Sequence, residues 1–154
     1  MKIEKCVKGA VVVIGKEGST RDGQDFISQL WADANSYFHE VQHLAKKDAL
    51  GNPVGIWGAM SDFSHSFMPW ENNFSEGLYL AGVECDDHAQ APAGWTKWVI
   101  PSYEYICVES ESGDTFHQVI NYMKENDIPL AGAVHDFTCP STGGNYMLFP
   151  VRRL

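Results

Sequence analysis

The segment Tyr37 to Leu44 reads YFHEVQHL and contains His-Glu-x-x-His, with His39 and His43 four apart and Glu40 beside the first. On an α-helix that spacing can set two imidazoles on one zinc ion, with the glutamate as general base. The surrounding pattern argues against that chemistry. From about Gln24 to Lys47 the apolar residues Phe26, Leu30, Ala34, Tyr37, Val41 and Leu44 recur at spacings of three and four, which predicts a helix with one buried face. At 100° per residue, His39 and His43 point roughly 160° away from the centre of that face. A third ligand is also missing. An extended zinc-protease pattern would carry glycine and histidine where this chain has Lys46 and Ala49, and Phe63 stands where a downstream glutamate would be. The pair is read as part of a solvated helix face, with no zinc metalloprotease, no bound metal and no cofactor expected.

Aromatic side chains are the stronger signal. Trp57, Phe63, Phe67, Trp70, Phe74, Tyr79, Trp95, Trp98, Tyr103 and Tyr105 crowd the middle third of the chain. Indole and phenol rings offer flat faces and a polar tip, which suit stacking on a planar or cationic ligand. The run Phe67-Met68-Pro69-Trp70 lies in a loop-like segment and is costly to leave in water. It is expected to cover a pocket, the other half of the molecule or a second subunit, so a homodimer is one expectation. Alternation along Tyr103 to Glu109 places Tyr103, Tyr105, Cys107 and Glu109 on one strand face, and Glu104, Ile106 and Val108 on the other. A carboxylate in an apolar groove either counters a bound cation or serves as acid or base. His135 and Asp136 are adjacent on a later strand, so one of them must face inward.

The bulk composition sets limits. The chain has 154 residues, 44% of them apolar, and a net charge of −9 from 20 acidic and 11 basic residues. The basic residues cluster only at Lys46-Lys47 and Arg152-Arg153. That argues against direct nucleic-acid binding, which needs grouped Lys and Arg. No apolar run is long enough to span a membrane, and the stretch Ala10 to Ile14 is too short for a secretion signal. A cytoplasmic protein is expected. Cys6, Cys85, Cys107 and Cys139 are far apart in sequence and are expected as buried free thiols.

These residues need a scaffold. A β-branched strand is predicted over residues 6–16, with Asp22 as a plausible cap for the helix that follows. Strands are predicted at VGIWGAMSDF, FSEGLYLAGVEC and WTKWVIPSYEYICVES, the last bent at Pro101. A second helix is predicted at TFHQVINYMKEN, followed by strands at PLAGAVHDFTCP and NYMLFPVRR. The order βαββ therefore occurs twice, in pseudo-repeats of about 1–86 and 94–154. The fold class is α+β: duplicated βαββ units, antiparallel sheets with two helices packed on them, and a central groove between the halves.

Several stretches carry a resemblance. Gly82-Val83-Glu84, the loop from Pro92 to Gly94, Ile100-Pro101 with Tyr105, and the terminal Phe149-Pro150-Val151 resemble, in order and spacing, the GyrI-like small-molecule-binding domain. This is the effector-binding domain of AraC- and MerR-type regulators. The resemblance spans nearly the whole chain and implies a stand-alone member without the family's helix-turn-helix. It implies binding of bulky hydrophobic or aromatic, often cationic, compounds in the central groove, for sensing or sequestering xenobiotics. The ligand-binding candidates are Trp57, Met60, Phe63, Phe67, Trp70, Trp98, Tyr103, Tyr105, Glu109, His135 and Phe137. Family members often carry an acid on the strand after the second helix; the alignment puts His135 there with Asp136 next, and Glu109 or Glu104 is the expected substitute. Some stand-alone members resemble hydrolases that open the cyclopropane ring of DNA-alkylating compounds. On that competing reading Tyr105 and Glu109 would be catalytic. A third reading is a module that modulates a protein partner.

Overall fold

The structure is a computed structural model and describes residues 2–154. Eight strands form one antiparallel sheet: β1 (Ile3–Lys8), β2 (Val11–Ser19), β3 (Ile56–Ser61), β4 (Leu78–Cys85), β5 (Thr96–Ile100), β6 (Tyr103–Glu109), β7 (His135–Cys139) and β8 (Gly144–Arg153). Their order across the sheet is β1-β6-β8-β7-β3-β4-β2-β5. Two long helices, α1 (Phe26–Ser36) and α3 (Thr115–Glu125), cover one face, and a single turn, α2 (Glu71–Phe74), lies in the loop between β3 and β4.

The duplication is written in the strand order. One unit reads β2-β4-β3 from the outside inward and the other reads β6-β8-β7, and the two meet where Ile56, Trp57 and Gly58 pair with Thr138, Phe137 and Asp136. The edges are exchanged. β1 precedes β2 in the chain but pairs with β6, while β5 precedes β6 but pairs with β2. Two links of two residues each, Gly9-Ala10 and Pro101-Ser102, therefore connect opposite margins, so the sheet must curl until these approach. Here the structure corrects the sequence reading. The continuous strands expected over 6–16 and across Pro101 are each two strands at opposite edges. Unbroken β-branched runs conceal such a break, because hydrophobicity continues through it.

The first helix is also shorter than its apolar period suggests. α1 ends at Ser36, after Asn35, two residue types that favour helix ends over helix interiors. Two 3-10 turns follow, Phe38–Glu40 and Gln42–Leu44. Phe38, Val41 and Leu44 repeat every third residue, the period of a 3-10 helix, and all three pack under α1. Asp22 does not cap α1. It closes a capping box with Ser19 on a preceding 3-10 turn, and Asp25 holds the cap position.

The sheet separates three cores. Under α1, Ile14, Val41, Tyr79, Ala81 and Val83 pack with Phe26 and Trp31. Under α3, Ile106, Val108 and Phe149 pack with Val119 and Met123. The opposite, concave face holds Trp57, Trp98, Tyr103, Tyr105, Leu80 and Leu148. Across β1 and β6, Cys6 and Cys107 are joined by a disulfide, S–S 2.09 Å. The expectation of four free thiols is corrected for this pair: antiparallel pairing sets Cys6 opposite Tyr105 and Cys107 opposite Glu4, so the two sulfurs are diagonal neighbours on one face. Cys85 and Cys139 are free.

Candidate functional site

A groove runs between the β3–β4 loop and α3, above the seam where β3 meets β7. Its floor is Met60 of β3, Val134 just before β7, and Met147 of β8. Its walls are Pro69, Trp70 and Phe74 from the β3–β4 loop and Phe116 from α3. The cavity measures about 200 Å³ and is almost wholly apolar. Residues from both units contribute, as expected of a junction between repeats.

The loop that supplies the wall is anchored at one end and contorted at the other. Asp62 accepts hydrogen bonds from the backbone N–H of Ser66 and Met68 and from the hydroxyls of Ser61 and Ser64. Burial pulls this carboxyl upward, but those hydrogen bonds outweigh it and hold the pKa below its ordinary value. Trp70 donates its indole N–H to the Leu78 carbonyl at 2.9 Å. Beyond it, Asn72, Asn73 and Phe74 have φ of 49°, 57° and 65°. Asparagine tolerates that region, and hydrogen bonds between Glu71 and Glu76 close the turn.

One acidic group borders the floor without lining it. Asp136 lies between Gly58 on β3 and Met147 on β8. Its neighbours His135 and Phe137 contact Trp57 on the concave face, so alternation turns Asp136 toward the helices. It is half-buried, and desolvation alone raises its pKa to about 6. No hydrogen bond or ion pair engages the carboxyl among the described residues. A side chain at Gly58 would collide with the Tyr79 hydroxyl and press on the Asp136 Cβ. Glycine there lets the Tyr79 phenol lie across β3, where it accepts a hydrogen bond from Trp31 Nε1 at 3.0 Å. Burial and the nearby Asp136 charge both push the Tyr79 pKa upward, so the phenol stays neutral.

The candidates from the sequence divide between the two faces. Met60 and Trp70 line the groove. Trp57, Trp98, Tyr103 and Tyr105 are sealed in the concave core, none more than 4% exposed. Phe63, Phe67 and Phe137 pack half-buried against that core. Within the run Phe67 to Trp70, Phe67 meets Trp98 edge-on, Met68 is 47% exposed, and Pro69 and Trp70 cover the groove. Glu109 is exposed, in a polar cleft with Glu4, Glu111 and Tyr146. It stands four residues from Tyr105 on one strand, roughly 13 Å away. His135 is fully buried on the concave side. Its Nδ1 accepts the Met60 N–H at 3.0 Å, and burial pushes its pKa down to about 3, so the ring is neutral. Its Nε2 has no partner.

Sequence reasoning left out Val134, Met147, Phe116, Phe74 and Pro69 as lining residues, and placed Asp136 only as the neighbour of His135. The available signal was register: the glycine of VGIWGAM opposite an acid on the central strand pair marks a carboxylate with an open position beside it. The zinc motif is dispersed. His39 and His43 are exposed on successive 3-10 turns, where a four-residue step rotates by about 120°. Glu40 accepts the Trp95 indole N–H at 2.9 Å. Among the described residues no group of three or more His, Cys, Asp or Glu could hold a metal ion. Nor, among them, is any helix long and apolar enough to cross a membrane.

No protein-family profile and no curated protein sequence matches the chain. Solved structures do match. The structure of SAV2435 bound to tetraphenylphosphonium is similar over 99% of this chain and 94% of that one, at 15% identity and a TM-score of 0.69. The C-terminal domain of EcmrR is similar over 99% of this chain and 98% of that one, at 8% identity and a TM-score of 0.66. In the complex of EcmrR with DNA, the similarity covers 99% of this chain but 58% of that one, at 11% identity and a TM-score of 0.67. The chain has the α+β GyrI-like fold that its sequence resembles.

Proposed function

We propose that the chain binds bulky hydrophobic cations in the groove between the β3–β4 loop and α3, with the Asp136 carboxylate as their counter-charge, and so senses or sequesters such compounds in the cytoplasm. The observation that carries the reading is an unpartnered carboxyl, Asp136, set opposite the lining residue Met147 at the margin of an apolar cavity. Such a group favours a ligand that is apolar over most of its surface and positive at its centre. A cavity of about 200 Å³ is below the roughly 300–1,000 Å³ of drug-sized sites. It admits one arm of such a ligand as it stands, and a whole ligand requires the wall formed by Pro69, Trp70 and Phe74 to move outward. The similar fold of SAV2435, solved with a phosphonium cation, supports the same reading.

The hydrolytic alternative finds less support. Tyr105 is sealed on the concave side and Glu109 is exposed beyond it, so neither reaches the groove.

Two ions of one shape and opposite charge test the reading. In calorimetric titrations at pH 7.5, tetraphenylphosphonium is expected to bind at least about 100-fold more tightly than tetraphenylborate, since the charges differ in sign at one distance from Asp136. Equal affinities would show that Asp136 plays no part and overturn the proposal.

A further inference from the structure

The concave face carries an occupied cation position of its own. Lys8, the last residue of β1, lies with Nζ 4.5 Å from the ring centre of Phe137 and 5.9 Å from that of Trp57. Among the described residues this ammonium makes no ion pair and no hydrogen bond. Lys2 and Lys5 pair with glutamates, Lys47 donates to two carbonyls, and Lys16, the other lysine over a ring, also donates to the Gly94 carbonyl. Ring faces alone hold Lys8.

Beside those rings stands a carboxylate without an ionic partner. Glu84 Oε1 accepts the Trp57 indole N–H at 3.0 Å, and Glu84 has no salt bridge among the described residues. The three groups converge. A Cβ placed on Gly55 would come within 2.5 Å of Phe137, 3.1 Å of Trp57 Nε1 and 3.2 Å of Glu84 Oε1, so only glycine leaves the cradle its shape. Trp57 is sealed and fixed, while Phe137 and Glu84 are half-buried and reach the surface. Aromatic faces beside a carboxylate attract a cation by ring quadrupole and charge together. With one free carboxylate edge and no further acceptor, a primary ammonium leaves its N–H groups to water. A methylated ammonium presents carbon to the rings instead and wastes no donor.

We propose that Phe137, Trp57 and Glu84 form a second cation site, for methylated alkylammonium groups, which Lys8 occupies as an internal competitor. The site is on the other side of the sheet from Asp136, and Trp57 touches no part of the groove. Lys8 can vacate it. The residues that follow, Gly9 and Ala10, are exposed, and the four-carbon stem can swing its charge into water. Tethering makes Lys8 an intramolecular rival present at an effective concentration in the millimolar range.

The test follows the Trp57 indole N–H cross-peak in a proton–nitrogen correlation spectrum, assigned with Trp57→Phe, during titration with tetramethylammonium chloride against sodium chloride at equal ionic strength. In Lys8→Ala the peak is expected to move and saturate at a concentration about tenfold lower than in the unaltered protein. Lys8→Arg, which keeps a cation on the stem, is expected to restore the weaker response. In the double variant Lys8→Ala/Glu84→Gln the gain is expected to disappear. The proposal is overturned if Lys8→Ala titrates like the unaltered protein, if Lys8→Arg binds as well as Lys8→Ala, or if the gain survives Glu84→Gln.

Discussion

The two faces of the central sheet differ in how they treat neighbouring residues of one strand. On β7, His135 turns to the concave face and Asp136 to the helix face. The concave side is packed shut around its imidazole, with Trp57 and Tyr105 against it. The helix side leaves a cavity over Met147, the cross-strand neighbour of its carboxyl. Burial drives both groups toward neutrality, but only Asp136 has space beside it from which a ligand could supply the missing charge. Aromatic density thus marks the face that holds the fold together, filled at its rim by Lys8, and the sparser, methionine-lined face carries the open cavity.

Tryptophan substitutions on the two faces separate these roles most widely. Trp57→Ala should cost about 3–5 kcal/mol of stability, read from urea unfolding, with little change in tetraphenylphosphonium affinity at temperatures where the variant remains folded. Trp70→Ala, half-buried over the groove, should cost roughly half as much stability but lower that affinity about tenfold. A reversed pattern would assign the binding to the concave face.

The disulfide ranks next. It ties β1 to β6 across 101 residues of sequence, so its reduction should cost about 2–4 kcal/mol. The loss should fall on the concave face, whose rim β1 forms: hydrogen exchange should quicken in β1 and β6 and stay slow in β3 and β4. Uniform quickening would mean that the faces are not separable in this way.

Proton linkage gives the finest comparison. His135 is held down to about 3 from an ordinary 6.5, so the unfolded chain binds the extra proton between those values. Its contribution to stability is whole above pH 6.5 and is lost as pH falls toward 3. Asp136 is raised from 3.8 to about 6, so the folded chain binds the extra proton, and its contribution falls as pH rises through that window. Between pH 4 and 6 the two slopes oppose and largely cancel. Asp136→Asn should therefore unmask a rise approaching about 1.4 kcal/mol per pH unit, measured by urea unfolding across that range. An unchanged slope would mean that one of the two groups is not buried as described.

Much of this architecture was legible from pattern. The period of Phe116, Val119, Ile120 and Met123 marked α3, and the repeated Gly-Ala strands marked the duplication. What could not be read was partnership. Nothing in VVVIG or in WVIPSYEY says that the chain changes edges at Gly9 or Pro101, because those breaks are set by the closure of the curled sheet. The candidate site suffered from the same gap. Alternation showed that His135 and Asp136 take opposite faces, but which face would be filled depends on rings contributed by β5, β6 and the β3–β4 loop. Met147 and Val134, ordinary as core residues, line the groove because Trp70 and Phe74 of the other half stand at its walls and do not fill it.

The central claim is that the Asp136 carboxylate is the counter-charge for a bound cation. Calorimetric titration of Asp136→Asn with tetraphenylphosphonium, beside the unaltered protein at pH 7.5 and pH 5, tests it most directly. The unaltered protein should bind about tenfold more weakly at pH 5, where a carboxyl titrating near 6 is about one-tenth ionised. The variant should bind about 100-fold more weakly at pH 7.5, the Coulomb value for charges roughly 6 Å apart at an effective dielectric near 20, and should show no pH dependence. A variant that keeps its affinity and its pH profile would contradict the account.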